Sequence, residues 1–515
     1  MKRYLFLTHR WLGIALCLFM AMWFFSGVVM MYVGYPKLTA SERLKHLPDL
    51  DAAECCISLD EAILASGMDD SPKGVRLTSV SSVPRYVMTF DKHRVVAVDA
   101  QNGKRINAVS ASDAVEAASA FSKGGEVTYL DLVQEDAWTH SKALDLHRPL
   151  HRVQIQDGDA TLLYVSSLTG EVVRDATKTE RVWNWVGSWI HWLYPFRGGL
   201  LDKYHHDIIV YSSLAATLLA VVGLVVGVMR WRLKGRYGNA SKSPYRAPFM
   251  RWHHFLGLGF GVVMVAWIFS GLLSMNPWKV FDSGGKPLDE LAYSGGAIEA
   301  KNFPVDLHNL LDSQSAEGGR ARELEWRMLD GKGYYIAYEG NGQTRIVPAS
   351  KDERPRAMFP FELLEASGAR LVPGARIVHS EVLGKYDFYY YARAPHTMSG
   401  HVEKRLPVLR LKFDDPNSTW VHLDPYTGAV VSKLDAHQRV KRWLFALLHS
   451  WDWLPLLERR PLWDVLLILL SIGGFLVSYT GIVIGWHRLK RKHGRRDRKG
   501  QPASSVSRAT QGMSS

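Results

Sequence analysis

Hydrophobicity along this chain is concentrated in four blocks. Trp11 to Val33, Ile208 to Met229, Phe255 to Met275 and Val465 to Trp486 are apolar runs without a single Asp, Glu, Lys or Arg. At 1.5 Å per residue each can cross a hydrocarbon core of about 30 Å, so they predict four transmembrane helices. The long stretches between them have the patterning of ordinary folded protein. Ile57 to Gly67 has helical character with Ser58 as N-cap. Arg85 to Phe90, Arg94 to Asp99, Leu162 to Val165, Gly333 to Tyr338, Leu406 to Phe413 and Trp420 to Leu423 alternate as strands do, with turns at Asn102-Gly103, Ser167 to Gly170 and Asp424 to Gly428. The expected architecture is a membrane all-α four-helix transmembrane bundle carrying two exoplasmic α+β domains.

Charge orients the spans. Three short segments, before the first span, between Arg230 and Arg251, and after Trp486, hold nineteen Lys or Arg and one acid, Asp497. Their net charge is +18 against +13 for the chain, which leaves −5 for everything else. By the positive-inside rule all three are cytoplasmic. The basic balance is then a topology signal and gives no reason to expect nucleic acid as a partner. The expected segments are 1–33 for the cytoplasmic N-terminus and a retained first span, 34–180 for the first exoplasmic domain and 181–206 for an interfacial Trp-rich helix. The second span follows at 207–230, a cytoplasmic loop at 231–251 and the third span at 252–275. The second exoplasmic domain takes 276–438, its interfacial helix 439–462, the fourth span 463–487 and a disordered basic tail 488–515. Cysteine is sparse, with Cys17 in a span and Cys55 beside Cys56. Adjacent cysteines rarely bridge, so no disulfide framework is expected, and no Cys-x-x-Cys-His is present for covalent haem attachment.

An internal repeat runs through the chain. His9-Arg-Trp-Leu-Gly13 and Trp23-Phe-Phe-Ser26-Gly27 return as His253-His-Phe-Leu-Gly257 and Trp267-Ile-Phe-Ser270-Gly271, 244 positions on. Thr169-Gly170, Arg181-Val182, Trp185 and His191 return as Thr427-Gly428, Arg439-Val440, Trp443 and His449, 258 positions on. Each half therefore reads span, domain, Trp-rich helix, span, as in a tandem duplication of parallel repeats.

These motifs resemble the PepSY-associated transmembrane family, with the His-Arg-Trp-Leu-Gly opening, the Trp-rich helix and its histidine, and the Asp-Pro-Tyr-Thr-Gly turn as the shared elements. The resemblance implies PepSY-like exoplasmic domains and a bacterial inner (cytoplasmic) membrane protein regulated by iron, similar to ferric-siderophore reductases with two b-type haems. It implies a lipid bilayer, an electron donor that is either a cytoplasmic reductase or quinol, and a periplasmic ferric chelate as partners. The alternative is a membrane-anchored binding or regulatory module without redox activity.

Four histidines occur in both halves, and they are the expected axial ligands. His9 and His253 would share one haem b near the cytoplasmic face, His191 and His449 a second near the outer face. Gly13 and Gly257 lie four residues after His9 and His253, and Ser188 and Ala446 three before His191 and His449, so a small side chain neighbours each imidazole. His206, His254 and His487 are reserve ligands, and His205 stands beside them where the repeat is broken. A solitary histidine at such a depth serves equally well bonding lipid phosphate or a carbonyl, so it is the pairing that favours haem. Trp183, Trp185, Trp189, Trp192, Trp451, Trp453 and Trp463 are expected to form an aromatic belt. Gly223, Gly227, Gly473, Gly474, Gly481 and Gly485 should permit close helix packing. His140, His147, His151, His396 and His401 are expected to be surface or structural residues.

Overall fold

In the computed structural model four long helices dominate: α1 (Lys2–Met30), α2 (His205–Arg230), α3 (Pro248–Ser274) and α4 (Leu462–Lys499). The structure describes residues 2–91, 94–197, 199–316, 319–350, 353–398, 400 and 402–499. All four helices are long and apolar enough to cross a bilayer, so this is a multi-pass membrane protein. They form a ring in which α1 packs on α2 and α4, and α3 packs on the same two. α1 begins nine residues before its apolar run, where Lys2, Arg3 and Arg10 are good helix formers. For the same reason α4 runs on to Lys499, which corrects the expectation of disorder from residue 488. Residues 500–515 lie outside the described residues.

The glycines make the ring tight, as expected. A Cβ at Gly473 would meet the Phe260 ring at 2.3 Å, one at Gly474 the Phe24 ring at 2.6 Å, and one at Gly485 the Ile14 side chain at 3.3 Å. Around them Met20, Phe24, Ala216, Leu219, Met264, Trp267, Ile268, Leu467 and Val477 form the bundle core. Trp463 is also in this core, 4% exposed. Its indole N–H reaches the carbonyls of Ser450 and Trp451, both at 3.2 Å, so it is not a member of the interfacial belt. Trp183, Trp185 and Trp453 are exposed as a belt requires.

The first half contributes strands β1 (Gly74–Val80), β2 (Val83–Asp91), β3 (Arg94–Asp99), β4 (Arg105–Ile106), β5 (Val127–Val133), β6 (Leu150–Ile155), β7 (Leu162–Ser166) and β8 (Val172–Ala176). The second half contributes β9 (Ala321–Leu329), β10 (Lys332–Glu339), β11 (Thr344–Pro348), β12 (Ile377–Leu383), β13 (Val408–Phe413), β14 (Trp420–Leu423) and β15 (Val430–Leu434). Helix Leu59–Ser66 is capped at both ends as its sequence predicts, by a Ser58/Glu61 capping box and by Gly67 at φ 64°. Two four-stranded antiparallel sheets, β5-β6-β7-β8 and β12-β13-β14-β15, belong one to each half.

The remaining strands make one seven-stranded sheet, β11-β10-β9-β1-β2-β3-β4. Its seam is the antiparallel pair β1–β9, with Val75 opposite Trp326, Arg76 opposite Glu325 and Leu77 opposite Leu324. The core over it draws on both halves, including Leu77, Tyr86, Met88, Val98, Leu310, Leu324, Trp326 and Tyr335. A fragment such as Lys37 to Asp175 would therefore expose an open strand and half a core. The two exoplasmic domains expected from the sequence therefore share one sheet and one core instead of standing apart.

A buried ion cluster crosses the same seam. Glu323 accepts two bonds from Arg43 (2.6 and 2.9 Å) and one from Arg76 (2.7 Å), whose other nitrogen donates to Glu171 at 2.7 Å. Burial alone would raise the Glu323 carboxyl, but Arg76 and Arg43 outweigh it and hold it down at about 2. Cys55 and Cys56 are joined to each other, contrary to the expectation for neighbouring cysteines.

Candidate functional site

Two pairs of histidines face each other inside the bundle, one towards each end. His9 near the start of α1 and His253 near the start of α3 have ring centroids 6.1 Å apart. His191 and His449 have theirs 6.2 Å apart, beside Ser26 and Ser270 near the far ends of α1 and α3. The sequence-predicted pairing is thus the pairing the fold makes. From His9 to Ser26 the rise along α1 is about 25 Å, so the pairs lie near opposite faces of the membrane.

Each half delivers its domain-side histidine in the same way. After a short α-helix (Lys178–Asn184, Ala436–Lys441) the backbone widens into a π-helical turn, Trp185–Trp189 in one half and Arg442–Leu447 in the other. Such turns shift the side chains that follow and recur at functional sites. The helix then stops on a left-handed residue two positions beyond the histidine, Leu193 at φ 54° and Trp451 at φ 47°.

The Nδ1 partners define the chemistry of the rings. The Ser26 hydroxyl donates to the Met22 carbonyl at 2.7 Å, so at 3.0 Å from His191 Nδ1 its oxygen accepts. Ser270 donates to the Trp267 carbonyl at 2.9 Å and likewise accepts from His449 Nδ1 at 3.2 Å. His253 Nδ1 donates to the Val477 carbonyl and Thr480 Oγ1, both at 3.0 Å. Three of the four rings therefore carry their proton on Nδ1 and a lone pair on Nε2. His9 Nδ1 is buried and makes no close hydrogen bond, the Leu219 carbonyl being the acceptor within its reach. The Trp23 indole N–H donates to the His191 carbonyl at 3.0 Å and fixes that backbone too.

A glycine of a neighbouring element faces every ring. A Cβ on Gly223 would lie 2.7 Å from His9 Cε1, on Gly481 3.4 Å from His253 Cε1, on Gly271 3.4 Å from His449 Cε1, and on Gly27 3.8 Å from His191 Cε1. At Gly257 a Cβ would meet nothing within 4 Å, and at Gly13 only Cys17 Sγ and Leu219 Cδ1 at 3.8 Å. Both border a cavity of about 260 Å³ that also contains His9 and His253. The repeated Trp-x-Phe-Ser-Gly motif had no role assigned from sequence. Its Trp, Ser and Gly all touch or tether a histidine of the His191/His449 pair, and its recurrence in both halves was the available signal.

The reserve residues do other work. His254 spends both nitrogens, Nδ1 on Ser243 Oγ and Nε2 on the Gly227 carbonyl, each at 2.8 Å, so it cannot be a ligand as placed. His206 and His487 are exposed and face neither pair, and His205 Nε2 bonds the Trp192 carbonyl at 3.0 Å. Ser188 accepts from Asn184 at 2.6 Å, and Ala446 lies within the π turn. Outside the membrane His151 is tied to Tyr129 and to the Val109 carbonyl, His396 to the Met31 carbonyl, and His140 to Glu135. His147 is half-buried, with its Nδ1 atom shielded and unpartnered, and His401 lies outside the described residues. Among the described residues no three His, Cys, Asp or Glu side chains converge as a metal site. The bundle instead offers two sets of two opposed, neutral nitrogen donors.

These features define a four-span membrane protein with a histidine pair near each end of its bundle. The chain belongs to the family described as the PepSY-associated TM region, whose model matches residues 6–310. No curated protein matches it.

Proposed function

We propose that the protein holds two haem b groups, one between His9 and His253 and one between His191 and His449, and passes electrons across the membrane to a ferric chelate. The separation of the rings carries this reading. Two imidazoles bound through nitrogen to opposite sides of one metal, at about 2 Å per bond, have centroids about 6 Å apart, and both pairs stand at that spacing. The donor set agrees. Two neutral nitrogens without a carboxylate or thiolate are too few for a bare ion, but they complete an iron whose other four positions a porphyrin fills.

Bound haem would supply a one-electron Fe(III)/Fe(II) couple at each site. The chain's own residues do the rest. Ser26, Ser270, Thr480 and the Val477 carbonyl hold the Nδ1 protons, which orients each Nε2 and raises its basicity. Gly27, Gly223, Gly271 and Gly481 let the rings lie against neighbouring backbone, and the apolar bundle keeps water out. One electron enters from a cytoplasmic reductase or from quinol and leaves to a periplasmic ferric chelate, giving Fe(II), which hard oxygen donors hold less tightly. The positive-inside bias puts both termini and the α2–α3 connection in the cytoplasm of a bacterial inner membrane, and the β domains in the periplasm. The contacts that recur at offsets of 244 and 258 support a tandem duplication.

The absorption spectrum of the purified full-length protein tests the proposal. A b-type Soret band that sharpens on dithionite reduction, with about two haems per chain by pyridine haemochrome, is expected. A colourless protein that stays colourless after haem is added would leave the anchored-module reading in its place. Reporter fusions test the orientation: a periplasm-dependent reporter should work after residue 120 or 350 and fail after residue 240 or at the C-terminus.

A further inference from the structure

The cavity around His9 and His253 has a polar rim on one side only. Its lining is apolar or glycine apart from the histidines, Tyr245, Ser478 and two guanidinium groups, Arg10 on α1 and Arg488 on α4. These two are the only formal charges in the lining. Neither has an ion pair or side-chain hydrogen bond among the described residues, whereas the extramembranous arginines 43, 76, 152, 410 and 442 are all paired with carboxylates.

The repeat-related side of the same cavity is closed. His254 occupies the position that corresponds to Arg10, and its two nitrogens are spent on Gly227 and Ser243. Arg230 corresponds to Arg488 and lies over the Phe6 ring, 4.7 Å from its centroid. The chain after α2 folds back over this side, with Trp231 and Tyr245 edge-on to His254 at 5.9 and 5.4 Å. Among the described residues no equivalent segment covers Arg10 and Arg488, because α4 continues as a helix to Lys499. An internally repeated frame therefore presents one apolar, capped flank and one open flank with two unpaired cations.

Haem b has the same asymmetry, with two adjacent propionate carboxylates on one edge and apolar substituents elsewhere. We infer that Arg10 and Arg488 bind those two carboxylates and so fix which edge of the macrocycle faces the terminal side of the membrane. The inference rests on the di-haem reading above. Guanidinium and carboxylate match in charge and planar geometry. The rim position also lets the carboxylates stay near water while the ring is buried.

The test uses full-length protein made in cells unable to synthesise haem, kept in detergent and titrated with ferric protoporphyrin IX or its dimethyl ester. Arg10→Gln and Arg488→Gln should each weaken binding of the free acid at the His9/His253 site by about tenfold. They should leave the His191/His449 site unchanged and lower the midpoint potential of the first site only. Esterified haem should bind the wild type as weakly as the free acid binds the double variant, and the double variant should not distinguish the two. Arg10→Lys and Arg488→Lys should recover part of the affinity, and monodisperse elution of every variant checks folding. If the wild type binds haem at both sites but the glutamine variants match it in affinity and potential, or lose affinity equally for acid and ester, the inference fails. The second of those results would assign the arginines to lipid phosphate or to packing. If no haem binds the wild type at all, it is the di-haem reading that falls.

Discussion

The two histidine pairs are built on different principles, although the same repeat supplies both. The domain-side pair is the more symmetric. His191 and His449 each follow a π turn, precede a left-handed stop, and give their Nδ1 proton to the matching serine, Ser26 or Ser270. The terminal-side pair has diverged. His253 has two Nδ1 acceptors, Val477 and Thr480, while His9 has only the Leu219 carbonyl within reach, without close hydrogen-bond geometry, and Val222 stands where Thr480 would. A site held by a side chain's own partner keeps its tether through duplication only if the partner is kept. A site held by flanking backbone and glycine tolerates the loss.

The largest expected effect comes from removing ligands. His9→Ala or His253→Ala should abolish only the terminal-side low-spin signal, and His191→Ala or His449→Ala only the domain-side one. Each variant should keep about half of the bis-histidine intensity in EPR-monitored redox titration. If any single variant loses both signals, the pairs are not independent and the comparison breaks.

Acid should separate the two sites next. The Glu323 carboxyl is held at about 2, below its ordinary value of 4.5. A depressed carboxylate contributes stability that is present above its unfolded value and is lost as pH falls from about 4.5 towards 2, about 3 kcal/mol in this case. The loss falls on the β1–β9 seam, so acid should disturb the domain-side spectrum before the terminal-side one. Glu323→Gln should reproduce the destabilisation at neutral pH and flatten its acid dependence, measured as midpoint of thermal unfolding against pH.

Glycine substitutions sharpen the comparison further. Gly223→Ala places a Cβ 2.7 Å from His9 Cε1 and should cost about 1–3 kcal/mol of stability or displace the ring. Gly27→Ala, at 3.8 Å from His191, should be close to neutral. Chemical denaturation together with the low-spin g-values reads both outcomes. The smallest effects belong to the tethers. Each substitution leaves a backbone acceptor behind: Ser26→Ala the Trp23 carbonyl for His191, Ser270→Ala the Trp267 carbonyl at 3.3 Å for His449, and Thr480→Val the Val477 carbonyl at 3.0 Å for His253. Loss of basicity at the ligand raises the midpoint potential, by up to about 40 mV for Ser26→Ala and Ser270→Ala alike, with Thr480→Val below both.

Much of the membrane part was legible because its physics is local. Uncharged runs of fixed length, basic flanks and a constant offset are all visible in one dimension, and the histidine pairs follow from the offset. The strands at Arg94–Asp99 and Trp420–Leu423 and the capped helix after Ser58 were legible for the same reason. What escaped depends on contacts between distant residues. β1 and β9 carry no mark that they pair with each other, and half-buried β5 and β12 lack strong alternation in composition. A π turn has the sequence of any amphipathic helix, and Trp463 looks like a belt residue until the chain before it supplies two carbonyls. The role of Ser26 and Ser270 was in plain view as a repeated motif, but a serine in an apolar helix usually bonds its own preceding turn, and only the approach of an imidazole turns it into a tether.

The seam between β1 and β9 also bears on how such a chain is made. Arg76 and Glu323 are 247 positions apart, and the second and third spans lie between them. Synthesis proceeds from the N-terminus at about 5–20 residues per second, so β1 emerges with its partner unmade for roughly 10 to 50 seconds. Throughout that interval one edge of the nascent sheet is open, the kind of surface that templates wrong pairing. The insertion of α2 and α3 is therefore a timed step in folding as well as in topology. Slowing it should raise aggregation or proteolysis of the first half, while a chain supplied with its second half in trans should be partly protected.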